Sequence, residues 1–277
     1  MRGGRAAPFG TGLINDTFRV DTADASYVVQ RLHPVFSPTI HDDIDAVTRH
    51  LAGRGMVTPR VVTADDGALW VEHTEDGHAR VWRAITFVPE SHTYDRVPSP
   101  RVARAAGALV GRFHAALGDL AHEYQPRKTR PHDTARHFDT LEKALAEHRE
   151  HRLFREVATL ADELFARARP LRDFSAMPAR HAHGDLKVSN VLFDARDEGL
   201  CLVDLDTVGR MPWAHEMGDA LRSWCNPAGE DAREVELDAG LFAAAIEGYA
   251  SAAREVVTSD ERESLVDGLA TITSELT

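Results

Sequence analysis

The chain has 277 residues, 43% apolar and 27% charged, a composition that fits one large domain or two packed lobes and excludes wholesale disorder. A formal charge of −12 argues against a free nucleic-acid binder, and two cysteines, Cys201 and Cys225, exclude a disulfide scaffold and fit a reducing compartment. No run of about 18 apolar residues escapes interruption by a charge, and the opening MRGGRAAPFG lacks a signal peptide's apolar stretch, so a cytoplasmic protein with no membrane partner is expected.

Residues 9–90 read as mostly β with one helix. Gly10 to Asn15 is turn-like, and strands are expected at Thr17–Val20 and Tyr27–Leu32 around a polar hairpin turn. Ser37-Pro38 opens a helix in which Ile40, Ile44, Val47 and Leu51 recur at helical spacing. Three more strands are expected at Pro59–Thr63, Ala68–Glu72 and Val81–Val88, with turns at Gly67 and Gly77. From Ser99-Pro100, an N-cap followed by an N1 proline, the pattern becomes helical. Val102 to Leu117 marks a long amphipathic helix, Leu141–Leu171 at least one more, and Phe242–Val257 another. Gly229-Glu230-Asp231 reads as a helix start. Two short strands, Val191–Phe193 and Leu200–Leu205, interrupt the helices. The class is therefore α+β, with a β-rich lobe over 1–88 and a larger helical lobe over 89–277, divided near Pro89.

The strongest chemical signal is His183-Gly184-Asp185-Leu186-Lys187-Val188-Ser189-Asn190, followed by Asp204-Leu205-Asp206. Phosphoryl transfer from ATP needs a group to orient a hydroxyl and take its proton, oxygen ligands for Mg²⁺, and a cation for the transferred charge. Asp185 suits the first role, Asn190 and Asp204 the second, and Lys187 the third. Lysine occurs only three times among 32 basic residues, as Lys128, Lys143 and Lys187, so an ammonium in this segment stands out against an arginine-rich background.

These residues resemble the H-x-D-x-x-x-x-N loop and downstream metal aspartate of the aminoglycoside phosphotransferase and choline kinase superfamily, relatives of the protein kinases. The Asp-Leu-Asp variant looks most like the sugar-kinase branch typified by N-acetylhexosamine 1-kinase, and the likeness extends to GTGLINDTFRV, YVVQRLHPVF, WRAITFVP and MGDALRSW. The resemblance implies a protein-kinase-like two-lobe fold and a small-molecule kinase that uses Mg²⁺ and ATP on an acceptor hydroxyl, a hexosamine or N-acetylhexosamine first. Aminoglycoside, choline and homoserine are alternative acceptors, and a nucleotide-holding module without transfer is the alternative of another class. It implies Asp185 as base, Asn190 and Asp204 as Mg²⁺ ligands, and Asp206 as a second metal ligand or a partner of a sugar hydroxyl. Asp219 and Arg222 would brace the loop or border the acceptor.

Gly10 and Gly12 let the backbone approach phosphates, Asn15 and Thr17 can hydrogen-bond them, and Phe87 and Val88 would form the adenine-reading hinge. Protein kinases carry a lysine on the third strand, where this chain reads Gln30-Arg31. Alternation puts these two on opposite faces, leaving open which one meets the phosphates, with Asp42 or Asp45 as its partner. Both ends are shorter than the family pattern, so weak monomeric activity or a pocket completed in a homodimer is expected.

Plainer roles attach to other residues. His183 is expected to pack behind the loop, with a zinc site at His181 and His183 disfavoured for want of a third ligand. His215-Glu216 lacks the second histidine of a zincin. Trp213 and Trp224 could stack on a ligand, with core packing expected for at least one. Asp42-Asp43 and Asp65-Asp66 read as solvated faces, and Cys201 as a small buried apolar residue.

Overall fold

A computed structural model describes residues 4–10, 12, 14–126, 132–168, 171–228 and 235–276. Five antiparallel strands form one sheet: β1 (Arg5–Pro8), β2 (Asp16–Asp21), β3 (Ser26–Arg31), β4 (Val71–Glu75) and β5 (His78–Thr86), in spatial order β1-β2-β3-β5-β4. Helix α1 (Ile40–Gly53) crosses beneath it and buries Ile40, Ile44, Val47 and Leu51, the residues its spacing predicts. The β4–β5 turn is Asp76-Gly77, both at positive φ, the two-residue geometry that matches the twist of a hairpin.

That turn corrects one expected strand. Its register pairs Glu75 with His78 and carries β4 to Val71–Glu75, past the Ala68–Glu72 read from composition. Pro59–Thr63 is not a strand either. It touches the far end of β5 through one bridge, Val61 to Ile85, and the Arg60 amide that would extend the ladder donates instead to Thr86 Oγ1. Strand β1, ahead of the glycine turn, has too little apolar character to be visible in the sequence.

After a connection at residues 87–99 the helical half begins. Helix α2 (Pro100–Leu117) starts where Ser99 Oγ accepts the Val102 amide. The expected Leu141–Leu171 helix resolves into two, α3 (Thr134–Glu147) and α4 (Phe154–Ala168). Short strands β6 (Ala179–Ala182), β7 (Val191–Phe193), β8 (Gly199–Leu202) and β9 (Gly209–Pro212) pair as β6–β9 and β7–β8. Helices α5 (Trp213–Trp224), α6 (Ala239–Ala253), α7 (Ser259–Glu263) and α8 (Leu265–Glu275) complete the fold. The helix start read at residues 229–231 lies outside the described residues.

Helices α2 and α6 approach each other through glycine. A Cβ on Gly107 would stand 2.0 Å from the Ala245 carbonyl oxygen, and one on Gly248 2.0 Å from that of Arg104. Only hydrogen fits at these crossings. The close pair, with α5, builds the core on which β7 and β8 are laid: Leu109, Val110, Phe113, Val191, Phe193, Met217 and Trp224 are all buried. This rigid base carries the segment 183–206 into the cleft beneath the five-stranded sheet.

Asp43 departs from the solvated reading of its acidic pair. It is fully buried and accepts the Gln125 amide (3.1 Å) and the His122 ring nitrogen (2.8 Å), tying α1 to the segment after α2. Trp213 and Trp224 are 4% and 1% exposed, so both are core.

Candidate active site

The segment after β6 turns sharply at Gly184, whose φ is +84°. A Cβ there would lie 2.6 Å from the Thr207 carbonyl oxygen, so the position needs glycine twice over. The turn is held from behind. Glu216, on α5, accepts the backbone amides of His183 (2.6 Å) and Gly184 (3.0 Å). Trp224 Nε1 donates to the Leu186 carbonyl at 2.6 Å, and Thr207 Oγ1 to the His183 carbonyl at 2.8 Å. His183 is buried, with Nε2 2.9 Å from the Val203 carbonyl. Burial by itself would raise the Glu216 carboxyl, but His114, the His183 ring and the His183 amide hold it below the usual range and charged.

Asp185 is thereby presented on a fixed backbone. Its Oδ2 receives Lys187 Nζ at 2.8 Å and Asn190 Nδ2 at 3.2 Å. Asn190 Nδ2 also donates to the Asp185 carbonyl at 2.9 Å, so Asn190 is left to offer its oxygen. Oδ1 of Asp185 takes no part in these contacts.

The sequence suggested a strand running through Leu205, but β8 stops at Leu202. Asp204 sits at φ 63°, ψ 56°, a left-handed conformation that Asp tolerates better than most residues, and a 3-10 turn over Leu205–Thr207 follows. The kink lifts the Asp204 carboxylate out of the β7–β8 pair and toward Asp185. Desolvation in the cleft raises its pKa, and the like charges of Asp206 and Asp185 raise it further. A hard divalent cation beside Asp204 would relieve that repulsion. Asn190 Oδ1 and the Asp204 carboxylate are suited to such an ion. Among the described residues no group of three or more His, Cys, Asp or Glu side chains has metal-site geometry.

Asp206 occupies a different place from Asp204. It is 2% exposed, with Oδ1 2.5 Å from Arg83 Nη1 and Oδ2 2.8 Å from Asn15 Nδ2. Burial would raise its pKa, but the Arg83 guanidinium and the Asn15 amide keep it charged and below the ordinary range. Asp206 thus joins the helical half to the sheet. Asn15 spends its other amide atom on the His33 N–H (2.9 Å), and Thr17 Oγ1 accepts from Gln30 Nε2 at 3.1 Å. The β2–β3–β5 register places Thr17, Gln30 and Arg83 side by side on the cleft face. Arg31 lies on the opposite face, paired with Asp16 (2.5 Å) and Glu75 (3.1 Å). Of the two candidates Gln30 and Arg31, Gln30 is the one that faces the cleft. Neither Asp42 nor Asp45 partners it, since Asp45 binds Arg49 and Arg60.

Gly10, at φ +78°, begins the turn between β1 and β2, and nothing lies within 4 Å of a Cβ built on Gly10 or Gly12. Phe87 donates its amide to the Ser26 carbonyl (3.2 Å) and lies under Arg19, whose guanidinium carbon is 4.3 Å from the ring centre. The Val88 carbonyl accepts Ser91 Oγ at 2.8 Å.

On the far side of Asp185, Asp219 is buried and receives Arg222 Nη2 at 3.1 Å. Burial raises its carboxyl, His132 and Arg222 lower it, and Asp185 raises it, which puts it in electrostatic reach of the Asp185 carboxylate. Glu275, at the end of α8, ties this edge to α3 through Thr134 (2.6 Å) and His137 (2.9 Å). His181 is committed to Tyr124 (2.8 Å) and the Leu120 carbonyl (3.0 Å).

Three residues have roles in this arrangement that escape sequence reading: Arg83, Glu216 and Trp224. Arg83 carries a usable signal, since alternation from Gln30 across a paired strand marks it once the register is known. Glu216 stands singly between His215 and Met217 and carries none.

The family model described as the phosphotransferase enzyme family matches residues 5–254 of the chain. Among solved structures, an amicoumacin kinase in complex with AMP-PNP and Ca²⁺ superposes at TM-score 0.64 and 18% identity, covering 96% of this chain and 87% of the other. A microcompartment-associated aminopropanol kinase gives TM-score 0.64 at 14% identity over 99% and 90%. A choline/ethanolamine kinase family protein from Mesorhizobium loti gives 0.56 at 15% over 99% and 77%. The two-lobe α+β arrangement is therefore the kinase-like fold.

Proposed function

The chain belongs to the phosphotransferase enzyme family, a small-molecule kinase of the aminoglycoside and choline kinase type, and from that premise we propose that it transfers the γ-phosphoryl group of Mg-ATP to a hydroxyl of a hexosamine or N-acetylhexosamine. The observation that carries the reading is the clamped Asp185, with one carboxylate oxygen bound by Lys187 and Asn190 and the other outside those contacts. Residues 1–88 hold the nucleotide and residues 89–277 the acceptor and the chemistry. The Phe87 carbonyl and Val88 amide are the hinge atoms left for adenine, because the Phe87 amide and the Val88 carbonyl bond within the protein.

In this mechanism Asp185 Oδ1 accepts the acceptor's hydroxyl proton as the hydroxyl oxygen bonds to the γ-phosphorus. The bond from that phosphorus to the bridging oxygen breaks, and ADP leaves with the electron pair. Lys187, on the Asp185 carboxylate, would supply positive charge to the transferred group. Asn190 and Asp204 would hold Mg²⁺, which neutralises phosphate charge when bound. No helix among the described residues is long and apolar enough to cross a membrane.

A second acceptor class has a specific observation in its favour. The buried Asp219 carboxylate beside Asp185, in a chain of charge −12, suits an acceptor with a free amine, such as an aminoglycoside or an amino alcohol. One experiment separates the classes: ADP release from Mg-ATP with N-acetylglucosamine, N-acetylgalactosamine, glucosamine, homoserine, choline and kanamycin, beside an Asp185→Asn control. The sugar reading expects release with the first three that the control loses. Release only with kanamycin or choline moves the assignment to amines. ATP binding with no acceptor response refutes transfer and leaves a nucleotide-holding module.

A further inference from the structure

A kinase site must meet the α- and β-phosphates with positive charge, and the sheet half of this chain contains no lysine before Lys128. Its arginines are mostly engaged elsewhere. Arg19 lies over the Phe87 ring and pairs with Asp21, and Arg31 is on the outer face. Arg49 and Arg60 bind Asp45, and Arg54 binds Asp119. Arg80 alternates with Arg83 on β5 but stands at a position of the opposite face, odd-numbered residues sharing the cleft side.

Arg83 differs from all of these. It is the cross-strand neighbour of Gln30, on the cleft face, with a side chain 1% exposed. Gln30 Oε1 fixes its Nε at 2.9 Å and Asp206 Oδ1 its Nη1 at 2.5 Å. Among the described residues no hydrogen bond uses Nη2. The other oxygen of Asp206 holds Asn15, at the foot of the glycine-bearing turn, so the guanidinium stands one carboxylate away from the segment that would cover the phosphates. His41 on α1 closes the rear. It is fully buried and its Nε2 has no hydrogen-bond partner. Its Nδ1 donates to the Pro38 carbonyl at 2.5 Å, which fixes the tautomer, while burial and the Arg83 charge keep the ring neutral against the guanidinium. Two side chains on adjacent strands, a short amide and a long cation, thus fill the place where one lysine would stand.

We propose that Arg83 is the phosphate-binding cation of the nucleotide site, aimed by Gln30 and Asp206, and that it substitutes from β5 for the missing lysine of β3. The inference rests on the kinase reading above and names a residue that the reading does not supply. It distinguishes the pair from a purely structural tie, because a tie has no reason to sense how many phosphates a ligand carries.

The test is calorimetric binding of ADP, AMP and adenosine, with Mg²⁺ present, to wild type, Arg83→Met, Arg83→Lys and an Arg49→Met control. The expected result is a loss of about 10- to 100-fold in ADP affinity in Arg83→Met, with adenosine affinity unchanged within about twofold and partial recovery in Arg83→Lys. Arg49→Met should match wild type. Equal weakening of ADP and adenosine, or no weakening of either, overturns the proposal. Wild type that binds neither ligand overturns the nucleotide reading and this inference with it. Should Arg83→Met not fold, the arginine Nε signals of ¹⁵N-labelled wild type decide instead, with the Arg83 signal assigned by its loss in Arg83→Lys. That signal should move with ADP and stay still with adenosine, and a signal indifferent to ADP overturns the proposal.

Discussion

Replacing Glu216 by glutamine should slow the enzyme from a position that touches no substrate. The wild-type carboxylate is 2% exposed and accepts two backbone amides, those of His183 and Gly184, immediately before Asp185. Glutamine keeps one acceptor oxygen and turns an NH₂ group against the second amide. One charge-assisted hydrogen bond is lost and one buried N–H is left unpaired, a cost of roughly 3 kcal/mol. For a chain of this size that corresponds to a fall of about 6–12 °C in melting temperature. The released amide also frees the Gly184 turn, so Asp185 loses its fixed approach and kcat should drop about 10- to 100-fold at a temperature well below melting. Differential scanning fluorimetry and ADP release would be measured on wild type, Glu216→Gln and Leu51→Ala, the last a core truncation on α1 of comparable cost. Leu51→Ala should lose stability and keep kcat. If Glu216→Gln melts within about 2 °C of wild type, or loses stability with kcat intact, the bracing role assigned to this carboxylate is wrong.

Gly184→Ala should lose more than about 2 kcal/mol of stability and most activity, since the new Cβ meets the Thr207 carbonyl at 2.6 Å in a left-handed conformation; a variant as active as wild type in the ADP assay would contradict this. His215 is packed against Phe174 with neither ring nitrogen bonded, and burial pushes its pKa down to about 4. The unfolded chain takes up this proton near pH 6.5 and the folded one only near 4, so the ring's contribution is present above 6.5 and fades as pH falls toward 4. Urea titrations should show wild type losing about 2 kcal/mol more than His215→Leu between pH 7 and pH 5, and parallel losses would count against it. Asp219→Asn should raise KM about tenfold for amine-bearing acceptors and leave KM for ATP unchanged; an equal effect on N-acetylated sugars would remove its role toward amines.

The chemistry was legible where it is local. Asp185, Lys187 and Asn190 lie within six residues, and a short loop has few ways to arrange them, so their spacing in the chain already constrains their spacing in space. Helices α1 and α2 were legible for a related reason: their apolar period and caps act over one or two turns. Asp206 shows where local reading stops. It is two residues from Asp204, but the left-handed kink turns the two carboxylates to different neighbours, one open in the cleft and one buried on Arg83 and Asn15. Strand limits such as β4 and β8 also failed from sequence, because a turn of opposite φ and a backbone kink set the register, and neither leaves an apolar signal.

What the sequence alone determined is the family and the two-lobe class, with the Asp185 segment as the candidate loop. Tertiary structure decided which groups make that loop rigid and which cation faces the cleft. Glu216 lies 33 residues from the amide it binds, and Arg83 lies 123 residues from Asp206. Contacts of that range depend on α5 packing behind β6 and on β5 pairing with β3. Each is a consequence of burying apolar surface elsewhere, and no pattern of residues around Glu216 or Arg83 records it.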